Sequence, residues 1–119
     1  MKILICEDNL LSNKAHSIIL ERAGYKTDLA RDGKMAMEML GSYDYNLILV
    51  DIHLPYHSGL EVIKYLRTDL GKSTPVIVIT AFSDPQIKKQ AFELGIEDYL
   101  VKPIDPADFL EKIRLALNN

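Results

Sequence analysis

Leu47–Val50 (LILV) and Val76–Ile79 (VIVI) are apolar from end to end, with no polar residue at alternate positions. A strand of that kind has no side to show to water and must be covered on both faces. Lys2–Cys6, Tyr25–Leu29 and Tyr99–Val101 are further strand-like runs, and the stretches between the five switch to helical spacing. Leu11, Ala15, Ile18 and Ile19 fall on one helical face that Gly24 closes; Met35, Met39 and Leu40 share another after the Asp32–Gly33 turn. Ser58 is placed to cap a helix carrying Leu60, Ile63 and Leu66, and Pro85 opens one that ends near Gly95. The last helix runs from about Pro106, with Phe109, Ile113 and Ala116 inward. Five strands alternating with five helices predict an α/β domain, a doubly wound (βα)5 sandwich around a five-stranded parallel sheet.

Composition narrows the function classes. A chain of 119 residues with 48% apolar content suits one globular domain over 1–119, without repeat or linker. The formal charge of −3 provides no basic footprint for nucleic acid or an acidic membrane surface. No apolar stretch approaches the ~20 residues that span a bilayer. Met1 leads straight into a strand without a signal peptide, and the lone Cys6 suits a reducing compartment, so the expected location is cytoplasmic. Burial and the adjacent Glu7 should both raise the Cys6 pKa, which argues against a reactive thiol.

Ligands of open parallel sheets gather at the carboxyl ends of the strands. The first strand ends in Glu7 and Asp8, the third in Asp51, the fourth in Thr80 and the fifth in Lys102; the second ends in LARDG, with no candidate. Any one of these is ordinary where a strand surfaces. Four of five strands ending in complementary groups is not. Three clustered carboxylates ionise together cheaply only if a cation arrives. Hard oxygen ligands completed by water suit Mg²⁺, which shares its shell with phosphate. Such a site would neutralise an incoming phosphoryl group and leave one carboxylate free to attack phosphorus, with Thr80 and Lys102 on the equatorial oxygens.

The pieces ICEDN, ARDGKMAMEML, LILVDIHLPYHSGLEV, PVIVITAF and AFELGIEDYLVKPI, in this order, resemble the receiver domain of two-component response regulators, the CheY-like fold. The resemblance covers essentially the whole chain. The opening Glu7, Asp8, Asn9 and Asn13 is similar to DivK-like single-domain regulators and to receivers of hybrid sensor kinases. It implies flavodoxin-like strand order 2-1-3-4-5. It also implies that Asp51 is the phosphoacceptor, that Asp8 and Asp51 bind Mg²⁺ directly with Glu7 acting through water, and that the His53 carbonyl is the remaining protein ligand. Thr80, Lys102 and the Ala81 backbone N–H would hold the phosphoryl group, Lys102–Pro103 would be cis, and Tyr99 would be the aromatic that turns inward when Thr80 moves toward the phosphate. The implied partners are a histidine kinase or histidine phosphotransfer protein as donor, and a downstream protein on the face of the fourth helix, fifth strand and fifth helix. Leu54 and His57 depart from the Met that the family often has there; no catalytic part is missing.

His53 and His57 are four residues apart, but Pro55 between them points to a loop, and no third soft ligand for zinc is nearby. His16, within the first helix, is expected to be exposed or to contact a partner. His53 and Phe82 are expected to flank the water path to a phosphorylated Asp51, unless Phe82 packs under the fourth helix. Two rival classes remain. A flavodoxin-like small-molecule binder, such as an FMN protein, would need a phosphate loop rich in Ser, Thr or Gly where this chain has the acidic EDNLLSN. A phosphatase acting on outside substrates would need a cap. Within the leading class a stand-alone regulator is expected, with a receiver excised from a hybrid sensor kinase as the alternative.

Overall fold

The computed structural model describes residues 1–118, and its strands and helices alternate throughout. They are β1 (Lys2–Cys6), α1 (Leu10–Arg22), β2 (Lys26–Ala30), α2 (Gly33–Ser42), β3 (Leu47–Val50), α3 (Gly59–Lys64), β4 (Val76–Thr80), α4 (Pro85–Glu93), β5 (Asp98–Val101) and α5 (Pro106–Leu117). All strand pairings are parallel, in the order β2-β1-β3-β4-β5. The order reverses at β1, which sits between β2 and β3, and that puts the end of β1 at the crevice where such sheets bind ligands.

The uninterrupted apolar strands are explained by two cores, one on each face. Leu4, Cys6, Ile48, Val50, Val76 and Val78 point to the side covered by α2, α3 and α4. Ile3, Ile5, Leu47, Leu49, Ile77 and Ile79 point to the other, against Leu20 of α1 and Phe109 and Ile113 of α5. Each helix begins at a side-chain cap: Asn9, Asp32, Ser58, Asp84 and Asp105 each accept from a backbone N–H of the first turn. At Ser58 this is a full capping box with Glu61. Gly24 and Gly95 follow α1 and α4 at φ of +96° and +80°, a conformation other residues adopt only under strain.

Three features differ from the sequence reading. Strand ends move by a residue: β2 starts at Lys26, β4 runs on to Thr80 and β5 begins at Asp98. The helix from Gly59 closes in a π-helical turn, Tyr65–Asp69, that carries Arg67 into the structure. Arg67 donates to the carbonyls of Leu94 (2.9 Å), Gly95 (3.0 Å), Lys72 (3.0 Å) and Thr74 (2.8 Å), tying the end of α4 to the α3–β4 connection. The third difference is the largest. Leu11, Ala15 and Ile18 do not face the core; Leu11 is 83% exposed, and the buried residues of α1 are Asn13, Ser17 and Leu20. The phase of α1 is set by polar partners. Ser17 Oγ lies 2.9 Å from Thr27 Oγ1, and Asn13 binds the backbone of Glu7.

Candidate functional site at the carboxyl end of the sheet

Register decides what meets what. Cys6 pairs with Val50, so Glu7 and Asp51 leave neighbouring strands at the same level. Thr80 pairs with Val101, and the Lys102 N–H donates to the Thr80 carbonyl at 2.7 Å. Four strand ends therefore deliver one site.

Glu7 is held on every side. Its N–H donates to the Ala30 carbonyl (2.9 Å), its own carbonyl accepts from Asn13 Nδ2 (2.9 Å), and Oε2 accepts from the Asn9 N–H (3.3 Å). Its Oε1 takes the Lys102 ammonium, whose Nζ also lies 3.4 Å from Asp51 Oδ2. Asp51 Oδ1 accepts from the His53 N–H at 2.9 Å. Glu7 and Asp51 are both buried, while Asp8 is exposed. The three-acid cluster expected from the strand ends is thus a buried pair with Lys102 as counter-ion and an exposed third acid beside it. Burying two like charges is expensive without such a partner.

Thr80 is fully buried, and its hydroxyl oxygen accepts from the Phe82 N–H at 3.3 Å. Ala81, next along the chain, is exposed. The Tyr99 ring lies inward, 7% exposed, with its hydroxyl donating to the Phe82 carbonyl at 3.3 Å and Lys88 Nζ 5.9 Å from its centroid. Burial raises the Tyr99 pKa. The Lys102–Pro103 peptide is cis. Phe82 is 63% exposed, so it is not packed under α4, and its ring meets that of His53 edge-on. The loop after β3 is pressed against its neighbours. A Cβ on Gly59 would collide with the Asp51 carbonyl, and one on Gly33 with that of His57.

The remaining sequence candidates settle elsewhere. His57 Nδ1 pairs with Glu61 Oε2 at 3.0 Å and holds that carboxyl below its usual pKa. Cys6 is buried, and desolvation pushes its thiol pKa up. His16 is not on the outside, as its place in a helix suggested; it is half-buried and stacked on Phe109, centroids 4.8 Å apart. It borders a cavity of about 10 Å³ under Glu7 and Asp51, at the lower limit for one water. Met35, Met37 and Met39 all pack against the core, so none is left on the outer side of α2. Among the described residues, no three His, Cys, Asp or Glu side chains stand together as ligands of one ion. Asn13, matched in the sequence to the family's opening motif but given no role there, is buried and binds the Glu7 carbonyl.

Comparison with known proteins agrees with this layout. The response regulator receiver domain model matches residues 3–114. The transcriptional regulatory protein CrdR of Helicobacter pylori is 39% identical over 118 residues, 99% of this chain and 55% of that protein. The polar-differentiation response regulator DivK of Brucella ovis is 37% identical over 118 residues, 98% of this chain and 96% of that protein. The chain spans about half the length of the transcriptional regulators it matches. A CheY-like response regulator receiver domain protein from Methanospirillum hungatei has a structure matching with a TM-score of 0.93 at 28% identity, over 98% of this chain and 93% of that one. With the family's sequence over nearly its whole length and the family's strand order, this chain belongs to the response regulator receiver domains of two-component signalling.

Proposed function

We propose that this chain accepts a phosphoryl group from a phosphohistidine onto Asp51 and signals through the surface change that follows. The observation carrying this reading is the Asp51 carboxylate, buried at the end of β3 with Oδ1 occupied by a backbone N–H and Oδ2 facing the Lys102 ammonium. Attack by a carboxylate oxygen forms the new O–P bond while the donor's imidazole leaves with the electrons of the broken N–P bond. Thr80 already accepts from the Phe82 N–H, so its own hydroxyl proton is free to donate to a phosphoryl oxygen. Lys102 and the Ala81 N–H complete the anion's partners.

Receiver domains generally use Mg²⁺, and the donors here fit it. Asp8, Asp51, the His53 carbonyl and, through water, Glu7 are hard oxygens, and a cation-seeking pair is evident in the way Glu7 and Asp51 share one ammonium. When bound, the ion supplies positive charge to the oxygens of the transferring group.

A histidine kinase or histidine phosphotransfer protein fits as donor because the outer face of α1, carrying exposed Leu10, Leu11 and Ile18, starts beside the acids. A downstream protein fits the face of α4, β5 and α5, since Thr80, Phe82, Tyr99 and Lys88 form one chain of contacts from the site to it. DivK is matched over nearly its full length and CrdR over about half, so this reading applies equally to a single-domain regulator and to a receiver within a longer protein. Incubation with acetyl phosphate and Mg²⁺ should add one phosphoryl mass, and Asp51→Asn should abolish it. Undiminished labelling of that variant would falsify the assignment.

A further inference from the structure

Asn13 is an oddity in energetic terms. It lies within α1, is 1% exposed, and occupies a place on the inner stripe where an apolar side chain would pack at no polar cost. Its Nδ2 makes one bond, to the Glu7 carbonyl at 2.9 Å, and its Oδ1 is buried without a partner. A buried amide whose carbonyl oxygen has no partner is disfavoured relative to an apolar isostere unless the bond it does make matters. Its neighbour on the stripe, Ser17, has no such deficit, being paired with Thr27.

That bond has a geometric consequence. The peptide unit joining Glu7 to Asp8 is planar, so fixing the direction of the Glu7 carbonyl also fixes the N–Cα bond of Asp8. Glu7 needs little of this help. Its N–H is tied to Ala30 and its carboxylate to Asn9 and Lys102. Asp8 is different. It is exposed, so the direction in which its side chain departs is set by the backbone it stands on.

We infer that Asn13 is a positioning residue for the acidic corner: by holding the Glu7 carbonyl it fixes the Glu7–Asp8 peptide and thereby aims Asp8 at the cation bound beside Asp51. The inference rests on the reading of the site as a Mg²⁺-assisted phosphoacceptor. Asn13 touches neither ion nor phosphoryl group. Partners that orient metal ligands from behind typically set affinity by ten- to a hundredfold; with one of several ligands affected, the low end applies here.

The test compares the full chain with Asn13→Leu, an isostere that removes both the donor and the orphaned acceptor. Mg²⁺ alone is titrated while amide and carbonyl resonances of residues 7, 8 and 51 are followed, and thermal unfolding is recorded in EDTA. The expected result is a Leu variant that melts near the wild type, shows a displaced Glu7 carbonyl ¹³C resonance, and binds Mg²⁺ roughly tenfold more weakly. Unchanged Mg²⁺ affinity in Asn13→Leu, whether or not its melting temperature falls, would overturn the inference while leaving the phosphoacceptor reading in place. Failure of the wild type to bind Mg²⁺ would overturn both. Should the Leu variant not fold, the wild type decides: its Asn13 side-chain amide protons should exchange slowly and shift on Mg²⁺ addition, and fast exchange with no shift would refute the role.

Discussion

The imidazole of His53 and the ring of Phe82, two residues beyond Asp51 and Thr80 respectively, meet at 87° with centroids 5.1 Å apart. Neither side chain is an acid or amide that would orient water for attack on phospho-Asp51, and together they are expected to narrow its approach. Phosphate loss from the purified phosphoprotein should therefore quicken when either is cut back. Phe82→Ala and His53→Ala are each expected to speed hydrolysis roughly threefold, a barrier change of ~0.7 kcal/mol. Identical decay curves for all three proteins would dispose of the shielding role.

Lys102 places one ammonium between two buried acids. Lys102→Met leaves Glu7 and Asp51 facing each other, and in EDTA should cost about 2–3 kcal/mol, less than for a fully enclosed pair because the Lys102 side chain is 22% exposed. Adding Mg²⁺ should restore more stability to the variant than to the wild type. Urea unfolding with and without the ion measures both effects; an equal response to Mg²⁺ would mean that the ion binds away from these acids.

His16 makes acid stability of the fold predictable in sign. Burial lowers its pKa from 6.5, the nearby Lys102 lowers it further, and Glu7 opposes this in part. The unfolded chain thus takes the proton first. Stability should be unaffected well above pH 6.5 and should fall as pH drops from there toward the folded-state pKa. In His16→Gln the urea midpoint should change less between pH 7.5 and 5 than in the wild type, a comparison that cancels the carboxylates common to both.

Arg67 offers a test of the α4 anchor. Arg67→Ala removes four bonds to carbonyls and should destabilise the chain by about 2–4 kcal/mol. Arg67→Lys should recover only a fraction, because an ammonium cannot span the four acceptors as a planar guanidinium does. Full recovery by Lys would show that charge alone was needed.

The proposed switch from Thr80 to Tyr99 has a measurable form. Thr80→Ala should still take phosphate from acetyl phosphate, yet the amide shifts of α4 and β5 should move less on phosphorylation than in the wild type, since only contacts that differ between the two states shift their balance. Equal shifts would route the signal elsewhere.

The layout of the sheet was legible because it depends on runs such as LILV, which have a single solution in water, and on caps such as Ser58 and Asp32 that act within a few residues. The acids, Thr80 and Lys102 were legible as a set once strand ends were known, since a parallel sheet gathers them without further information. Helix α1 was not. Its apolar residues share a face, but periodicity locates a face without saying what covers it, and bonds from Asn13 and Ser17 turned the other side inward. The stacking of His16 on Phe109 and the sharing of Lys102 between Glu7 and Asp51 join residues far apart in the chain, and no local pattern announces either.

Gly33 and Gly59 divide this molecule into parts that can drift and parts that cannot. A single methyl group at either position drives the loop after β3 off the start of α2, or pushes the Asp51 carbonyl from its strand. On the outer face of α1, by contrast, Leu11 is 83% exposed and Leu10 62%. If a partner docks on α1 as proposed, a descendant of this chain can exchange Leu10 or Leu11 and acquire new associates within a few substitutions, while Gly33 and Gly59 admit not even alanine. On that reading, partner choice and phosphate chemistry would be written in separate alphabets, and the first could be revised without rereading the second.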